Sequence, residues 1–251
     1  MEVAYVVKKL KAKKELADID ETFLTNLVQD YVKRHNLEKN FKRPDFLKTK
    51  KFKIMFKQLR KLLHEVYGSY KVSNSFYEHP SIKERLIFYK EIYYKIFSIT
   101  GKPSSVLDLG CGLNPLSYKF LGCKPRYYAV DISKDYIKKV QVYFKKNNIK
   151  GRAFLFDLVY GNYNKLPKVD VCFLFKVLES LEAIKKNISA EILKKLKCKW
   201  IVVSFSKVVL SGKKKIRKKG RAWFRKLLKN LGYVYSVLDI GEEIFFVIRK
   251  P

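Results

Sequence analysis

Residues 105–115 read SVLDLGCGLNP, a short apolar run that stops at two closely spaced glycines. Apolar runs bounded by turn residues are typical of buried strands, and glycine lets the backbone turn tightly beside a ligand. The spacing lacks the third glycine of the dinucleotide fingerprint, and no Gly-Lys-Ser/Thr follows that would make a phosphate-binding P-loop. We therefore predict a ligand-binding turn at Gly110 and Gly112, although an ordinary strand-to-helix turn has the same pattern.

The rest of the chain after this turn alternates strand-like and helix-like stretches. Further strands are predicted at 127–130, 152–156, 169–175 and 200–205, an amphipathic helix at 134–146, and a closing hairpin from 233–238 and 243–249. Alternating strands and helices predict a mostly parallel, doubly wound α/β sheet. The fold class expected is α/β and Rossmann-like with a C-terminal antiparallel hairpin, which is similar to the way class I methyltransferases end.

Three predicted strands end in carboxylates, at Asp108, Asp131 and Asp157. The carboxyl ends of parallel strands meet at one edge of a sheet, where ligands bind. Asp131 follows the glycine turn by about 20 residues, the distance at which a carboxylate can accept both ribose hydroxyls of a nucleoside. The three acids together predict a crevice for an adenosine-bearing ligand.

The beginning of the chain is predicted to be helical and basic. Apolar residues recur at three- and four-residue spacing through 23–32 and 52–66. We predict a helical domain over 1–78 and an α/β domain over 79–251 that begins with a helix over 81–98. A set of basic side chains on the helical part predicts a phosphate-contacting surface, with a merely solvated helix face as the alternative. These are Lys50, Lys51, Lys53, Lys57 and Arg60.

Charge and composition narrow the class of partner. The chain has 55 Lys and Arg against 23 Asp and Glu, a net charge of +32. Such self-repulsion suggests a polyanionic partner, with nucleic acid favoured over an anionic membrane surface. No apolar run reaches the roughly 18 residues of a membrane span, and no secretory signal begins the chain, so a cytoplasmic protein is expected. Four cysteines without a C-x-x-C pair and three histidines make a metal site unexpected.

Eight short stretches share their order and spacing with one enzyme family. They are 63–70, 81–85, 109–116, 171–181, 203–205, 210–213, 223–224 and 240–243. In these stretches the chain resembles the aminoglycoside-resistance methyltransferases that modify guanine N7 near the decoding site of 16S ribosomal RNA. The resemblance implies a class I methyltransferase fold, S-adenosylmethionine as cofactor and the small (30S) ribosomal subunit as partner. We expect an archaeal-type or housekeeping member that acts as a monomer.

The resemblance also implies roles for individual residues. Arg85 would reach the methionine carboxylate, Asp131 would hold the ribose, Asp157 and Leu158 would flank the adenine, and Lys176 would lie beside the transferred methyl group. The expected cofactor site comprises Arg85, Asp108, Gly110, Cys111, Gly112, Asn114, Asp131, Ile132, Asp157, Leu158 and Lys176.

The chain departs from the family where the target base should lie. The family usually has Pro where this chain has Ser206, and a mixed segment where this chain has a basic run. That run predicts a phosphate clamp, with a solvated loop as the alternative; its members are Lys213, Lys214, Lys215, Arg217, Lys218 and Arg221. Ser204 and Ser206 are expected to act as hydroxyl acceptors and Phe205 to stack on an extruded base. With Lys176, they form the predicted catalytic set.

The sequence leaves two candidates for the methylated atom, guanine N7 and cytosine N4. A guanine ring nitrogen has an in-plane lone pair and needs no base before attack. Many enzymes that methylate exocyclic amines carry an Asn- or Asp-Pro-Pro-aromatic turn after the fourth strand, where this chain has Phe-Lys-Val-Leu at 175–178. Guanine N7 is therefore favoured over cytosine N4. A small-molecule methyltransferase and a non-catalytic RNA-binding protein are the remaining alternatives.

Overall fold

The computed structural model describes residues 3–67, 85–207 and 221–251. The helices are α1 (Val3–Lys11), α2 (Glu21–Arg34), α3 (Glu38–Phe41), α4 (Lys50–Val66), α5 (Tyr89–Thr100), α6 (Lys134–Lys146), α7 (Leu178–Ile184), α8 (Ile188–Lys195) and α9 (Ala222–Asn230). The strands are β1 (Ser105–Leu109), β2 (Arg126–Asp131), β3 (Gly151–Leu155), β4 (Val169–Phe175), β5 (Cys198–Ser206), β6 (Val234–Ile240) and β7 (Glu243–Arg249). Short 3₁₀ turns lie at Lys14–Leu16, Pro44–Lys48, Asn114–Phe120 and Tyr163–Lys165.

One seven-stranded sheet organises the α/β part, in the order β3-β2-β1-β4-β5-β7-β6. The first five strands are parallel, and β7 runs antiparallel to both β5 and β6. This confirms the predicted mostly parallel sheet with a closing antiparallel hairpin. The strand order reverses between β1 and β4, so their carboxyl ends frame a crevice at the switch point.

Helices cover both faces of the sheet, which explains why β4 is apolar almost throughout. On one face, α5 and α6 form a core with inward side chains such as Val106. On the other face, α7, α8 and α9 cover side chains such as Leu107. The apolar sides of α1, α2 and α4 belong to this second core as well. The helical segment therefore shares a core with this side of the sheet, and α4 packs against α7.

Two local predictions need correction. The helix predicted over 81–98 begins at Tyr89 in the described residues, and 85–88 form a turn. That turn lets the side chain of Arg85 enter the protein interior, where it is bonded to Glu243. The stretch after β1, where the alternation of strands and helices predicts the first crossover helix, is the 3₁₀ segment Asn114–Phe120, which has a proline in its first turn. In it, Ser117 Oγ donates to the carbonyl of Asn114, which stabilises the tighter turn.

The predicted domain boundary at residues 78 and 79 lies outside the described residues. So do the predicted RNA contacts Lys213, Lys214, Lys215, Arg217 and Lys218. Within the parts of the chain that the structure describes, no helix combines the length and apolarity needed to cross a membrane.

Candidate active site

The glycine turn after β1 has the backbone geometry that its sequence predicts. Gly110 and Gly112 have φ values of +63° and +49°, in the left-handed region that other residues avoid. A Cβ atom at Gly110 would lie 2.6 Å from Cγ2 of Val177, whereas one at Gly112 would meet no atom within 4 Å. The first glycine therefore permits close packing, and the second leaves open space beside the turn.

This open space is a cavity at the carboxyl ends of the strands. Its empty volume, including solvent at the mouth, is about 1050 Å³. All of the residues predicted to bind the cofactor line it: Arg85, Asp108, Gly110, Cys111, Gly112, Asn114, Asp131, Ile132, Asp157, Leu158 and Lys176. The parallel sheet brings these residues together because it gathers its strand ends at one edge.

Asp131 is fixed by the backbone around it. Its Oδ2 accepts the N–H of Gly112 at 2.8 Å, and its Oδ1 accepts the N–H of Ser133 at 2.9 Å. Burial raises the pKa of this carboxyl group above its ordinary value. Each oxygen of a carboxylate has two acceptor positions. The backbone of Ile132 also favours the charged form, and the remaining acceptor positions are available to ligand hydroxyls.

Asp157 has one oxygen paired and one unpaired. Oδ1 accepts the N–H groups of Val159 and Tyr160 at 2.7 and 3.0 Å. Oδ2 is buried and has no hydrogen-bond partner among the described residues. Burial raises the pKa of Asp157 above its ordinary value. Asn26 acts in the opposite direction by favouring the charged form, but its side chain does not form a hydrogen bond to Oδ2. An adenine amino group offers the missing donor, so Asp131 and Asp157 fit the nucleoside of S-adenosylmethionine.

Asp108 lies in a buried polar network at the floor of the cavity. Its Oδ2 accepts from Asn114 Nδ2 at 2.9 Å and from the hydroxyl of Tyr127 at 2.8 Å. Burial raises the pKa of Asp108 to about 7. The other side of the same amide, Asn114 Oδ1, accepts from the hydroxyl of Tyr89 and from Arg85 Nη1.

Arg85 and Lys176 are held by a carboxylate that sequence reasoning did not assign to the site, Glu243. Its Oε1 lies 2.5 Å from Arg85 Nε and 3.2 Å from Lys176 Nζ, and its Oε2 accepts from Ser204 Oγ at 2.8 Å. Burial raises the pKa of Glu243, but Arg85 and Lys176 together outweigh this effect and hold it below its ordinary value. Glu243 begins an otherwise apolar strand, a pattern that a solvated strand end would also give.

Lys176 follows β4 and lines the cavity with an unusual backbone conformation. Its φ is +57°, in the left-handed region. Its N–H donates to the carbonyl of Ser204 at 3.0 Å, and its side chain is only 10% exposed. Non-glycine residues hold such conformations only where their surroundings fix them, which is common at functional sites.

The other predicted catalytic residues lie elsewhere. Ser204, Phe205 and Ser206 do not line this cavity. Ser204 and Phe205 point to opposite faces of β5, as neighbours in a strand must, and Ser204 is bonded to Glu243. Phe205 is fully buried against the rings of Trp223, Phe224 and Phe246. This enclosure differs from the expectation that Phe205 stacks on a base.

Arg221 also differs from its prediction as an exposed phosphate ligand. It is 6% exposed, with Nη1 at 3.1 Å from a carboxylate oxygen of Glu179. Its Nη2 donates to the carbonyl of Ser206 at 2.9 Å, and its guanidinium lies over the ring of Phe205. Burial lowers the pKa of Arg221. These contacts hold the side chain inside the protein.

The basic residues predicted on α4 do lie at the surface. All five are exposed: Lys50, Lys51, Lys53, Lys57 and Arg60. The same helix contributes a part of the cavity wall that the sequence did not reveal. Val66 and Tyr67 at its C-terminal end, together with Ile19, line the cavity from the helical segment. Contacts between such distant parts of the chain leave no local sequence signal.

Comparisons with known proteins identify a family and several relatives. A family model described as ribosomal RNA methyltransferase (FmrO) matches residues 69–247. The chain is 25% identical over 226 residues to a 16S rRNA (guanine(1405)-N(7))-methyltransferase of Frankia casuarinae, covering 77% of this chain and 79% of the relative. A protein of the same description from Proteus mirabilis is 24% identical, with 77% and 83% covered.

Solved structures with the same fold cover the whole chain. The 16S rRNA methyltransferase RmtF in complex with S-adenosyl-L-homocysteine aligns with a TM-score of 0.79 and 21% identity, over 100% of both chains. The 16S rRNA methylase RmtB aligns with a TM-score of 0.78 and 22% identity, over 100% of this chain and 99% of the other. Because the family model spans more than half of the sequence, this chain belongs to the ribosomal RNA methyltransferase (FmrO) family and is an S-adenosylmethionine-dependent enzyme.

Proposed function

We propose that this enzyme methylates N7 of a guanine in the 16S ribosomal RNA of the small ribosomal subunit, in the cytoplasm. The relatives from Frankia casuarinae and Proteus mirabilis are described by that activity. The observation that carries the proposal is the position of Lys176, at the cavity-facing end of β4. An ammonium group donates hydrogen bonds and accepts none.

The chemistry of Lys176 favours guanine over cytosine. Guanine presents two neighbouring acceptors, O6 and N7, whereas the N4 amino group of cytosine is a donor. Lys176 can donate to O6 and so hold N7 towards the methyl group, but it cannot accept the hydrogens of a cytosine amine. Its ion pair with Glu243 at 3.2 Å holds the ammonium group in place.

The residues around the cofactor act by binding and orienting. When bound, S-adenosylmethionine supplies a methyl group that is already activated by the positive sulfur. Asp131 would accept the ribose hydroxyls, and Asp157 Oδ2 would accept the adenine amino group. Arg85 retains donors beyond those used by Glu243 and Asn114 and would pair with the methionine carboxylate. Such positioning is a large source of rate enhancement when the nucleophile needs no base.

The exposed basic side of α4 would contact the RNA backbone. A shallow groove beside it is lined by Lys53, Lys57, Arg60, Lys61 and His64, with Phe52 and Phe56 between them, and by Glu15 and Leu16 from the 3₁₀ turn that precedes α2. The lysines and the arginine recur every three or four residues, so they share one side of the helix. Phosphate contacts of this kind fix the position of a protein on RNA without reading its sequence. The basic run at 213–218 remains a second predicted contact.

The proposal is tested by identifying the modified nucleoside. Small subunits from cells that lack the enzyme are incubated with the purified protein and S-adenosylmethionine, and the 16S RNA is digested and measured by mass spectrometry. We expect 7-methylguanosine to appear with time. Appearance of N4-methylcytidine instead, or of no methylated nucleoside, would contradict the assignment.

The RNA surface has its own matched test. Replacing Lys53 and Lys57 with Ala removes two charges from the groove on α4, and replacing Lys145 and Lys146 with Ala removes two from the exposed end of α6. We expect the first pair to weaken subunit binding and to reduce its salt dependence by about one unit of log–log slope for each phosphate that the variant no longer binds. Equal losses from both pairs would indicate a general charge effect and refute a specific role for α4.

A further inference from the structure

The helical segment closes one side of the cofactor cavity. Ile19, Val66 and Tyr67 line it, although none of them belongs to the sheet or its connecting loops. Tyr67 directly follows α4 as its C-cap, and its N–H donates to the carbonyl of Leu63 at 2.9 Å, so its backbone is tied to the last turn of the helix. The wall that this segment builds faces the strand ends that carry Asp131 and Asp157.

Backbone hydrogen bonds fasten this segment to the loop that follows Asp131. The N–H of Asp20 donates to the carbonyl of Ile132 at 2.9 Å, and the N–H of Lys134 donates to the carbonyl of Asp18 at 2.9 Å. Ser133 Oγ and the carboxylate of Asp18 are also bonded. The helical segment and the ribose side of the cavity are therefore joined by fixed contacts rather than by loose packing.

The ring of Tyr67 is held in place against this wall. It meets the buried ring of Phe23 edge to face, with centroids 5.8 Å apart and an angle of 76°. Burial, followed by the negative charges of Asp131 and Asp157, raises the pKa of Tyr67 well above its ordinary value. Tyr67 therefore carries a neutral hydroxyl, and it lines the same cavity as the two carboxylates that fit the nucleoside.

We propose that Tyr67 is a cofactor-binding residue, whose ring packs against the adenosine half of S-adenosylmethionine and whose hydroxyl hydrogen bonds to it. Because α4 also carries the exposed Lys53 and Lys57, one helix then contributes to both the cofactor site and the proposed RNA surface. The inference rests on the assignment of the cavity to the methyl donor, and not on which base is methylated.

Two variants separate the contributions of the hydroxyl and the ring. Tyr67→Phe removes only the hydroxyl, and Tyr67→Leu removes the aromatic ring as well. Tyr118→Phe is the matched control, because the hydroxyl of Tyr118 donates to the carbonyl of Pro125 outside the cavity. Binding is measured by calorimetry with S-adenosylhomocysteine and with 5′-methylthioadenosine, which contains the nucleoside but no amino acid.

We expect Tyr67→Phe to weaken both ligands about 3- to 10-fold, which corresponds to the loss of one hydrogen bond. Tyr67→Leu should weaken both further, while Tyr118→Phe leaves both unchanged and subunit retention on filters stays the same for Tyr67→Phe. If Tyr67→Leu does not fold, the result for Tyr67→Phe decides. Unchanged affinity in Tyr67→Phe, or a loss confined to S-adenosylhomocysteine, would overturn the proposal. Failure of the unmodified enzyme to bind either ligand would instead refute the assignment of the cavity.

Discussion

Replacing Glu243 with Gln tests the buried charge cluster behind the cofactor cavity. The side chains of Glu243, Arg85 and Lys176 are 3%, 4% and 10% exposed, so solvent screens their interactions very little. Removing one partner of such a buried ion pair costs roughly 3 to 5 kcal/mol. Gln keeps the shape and some of the hydrogen bonds, so we expect the lower value, about 3 kcal/mol, in the free energy of unfolding.

The assay is thermal unfolding followed by circular dichroism at pH 7. For a chain of this size each kcal/mol lowers the melting temperature by about 2 to 4 °C, so Glu243→Gln should melt roughly 6 to 12 °C below the parent protein. The control is Glu242→Gln, because Glu242 is the neighbouring acid in the same hairpin and is exposed. Its melting temperature should stay within about 1 °C of the parent value, since an exposed charge contributes little.

The stability difference between the parent protein and Glu243→Gln should depend on pH. Arg85 and Lys176 hold the pKa of Glu243 below its ordinary value of 4.5. The carboxylate therefore stabilises the fold above pH 4.5, and this contribution is lost as the pH falls through the lower pKa of the folded state. The difference between parent and Glu243→Gln should shrink in acid. A Glu243→Gln variant no less stable than Glu242→Gln at pH 7, or a difference that does not change with pH, would show that the ionised Glu243 does not stabilise the fold.

Three further changes have distinct expected outcomes. Asp131→Ala should abolish detectable S-adenosylhomocysteine binding in calorimetry while subunit retention on filters persists; loss of both would contradict separate sites. Burial raises the pKa of Asp108 to about 7 from an ordinary value of 3.8. The folded protein therefore loses stability as the pH rises from 3.8 to 7, because Asp108 ionises more readily in the unfolded chain. Asp108→Asn should therefore gain stability relative to the parent as pH rises from 4 to 7 in urea titrations, and a constant difference would count against this. Gly110→Ala meets Val177 at 2.6 Å whereas Gly122→Ala meets nothing within 4 Å, although both have positive φ. In urea titrations, Gly110→Ala should therefore lower the free energy of unfolding by roughly 1 to 3 kcal/mol more than Gly122→Ala does, which is the cost of overpacking. Equal losses of stability in the two variants would argue against the clash.

The parts of the site that sequence could predict are those encoded locally. Asp108, Asp131 and Asp157 follow apolar runs, and parallel strands bring such ends together whatever the details of packing. The glycine turn is equally local, because its conformation depends on the residues at Gly110 and Gly112 themselves.

The parts that sequence could not predict depend on distant contacts. Arg85 and Glu243 are 158 positions apart, and nothing near either residue indicates the other. Tyr67 reaches the cavity only because α4 packs against α7, and its surrounding sequence predicts an ordinary helix end. Whether a buried charge has a partner is decided by the tertiary fold, since local patterns do not record it.

The expected role of Phe205 fails for a different reason, the alternation of side chains along β5. Successive residues of a strand point to opposite faces, so Ser204 and Phe205 cannot both face one base from within β5. The sequence predicts this alternation, but it does not show which face of β5 lies towards the target base. The prediction for Arg221 also failed because of tertiary contacts. Its basic neighbours predicted an exposed segment, but its guanidinium is buried where it pairs with Glu179 and lies over the ring of Phe205.

A crystal structure of the enzyme with S-adenosylhomocysteine would show whether the cavity holds the methyl donor. We expect the ligand to lie at the ends of β1, β2 and β3, with its ribose hydroxyls on Asp131 and its adenine amino group on Asp157 Oδ2. Density for the ligand elsewhere, or a crevice closed by the protein's own side chains at saturating ligand, would contradict this expectation.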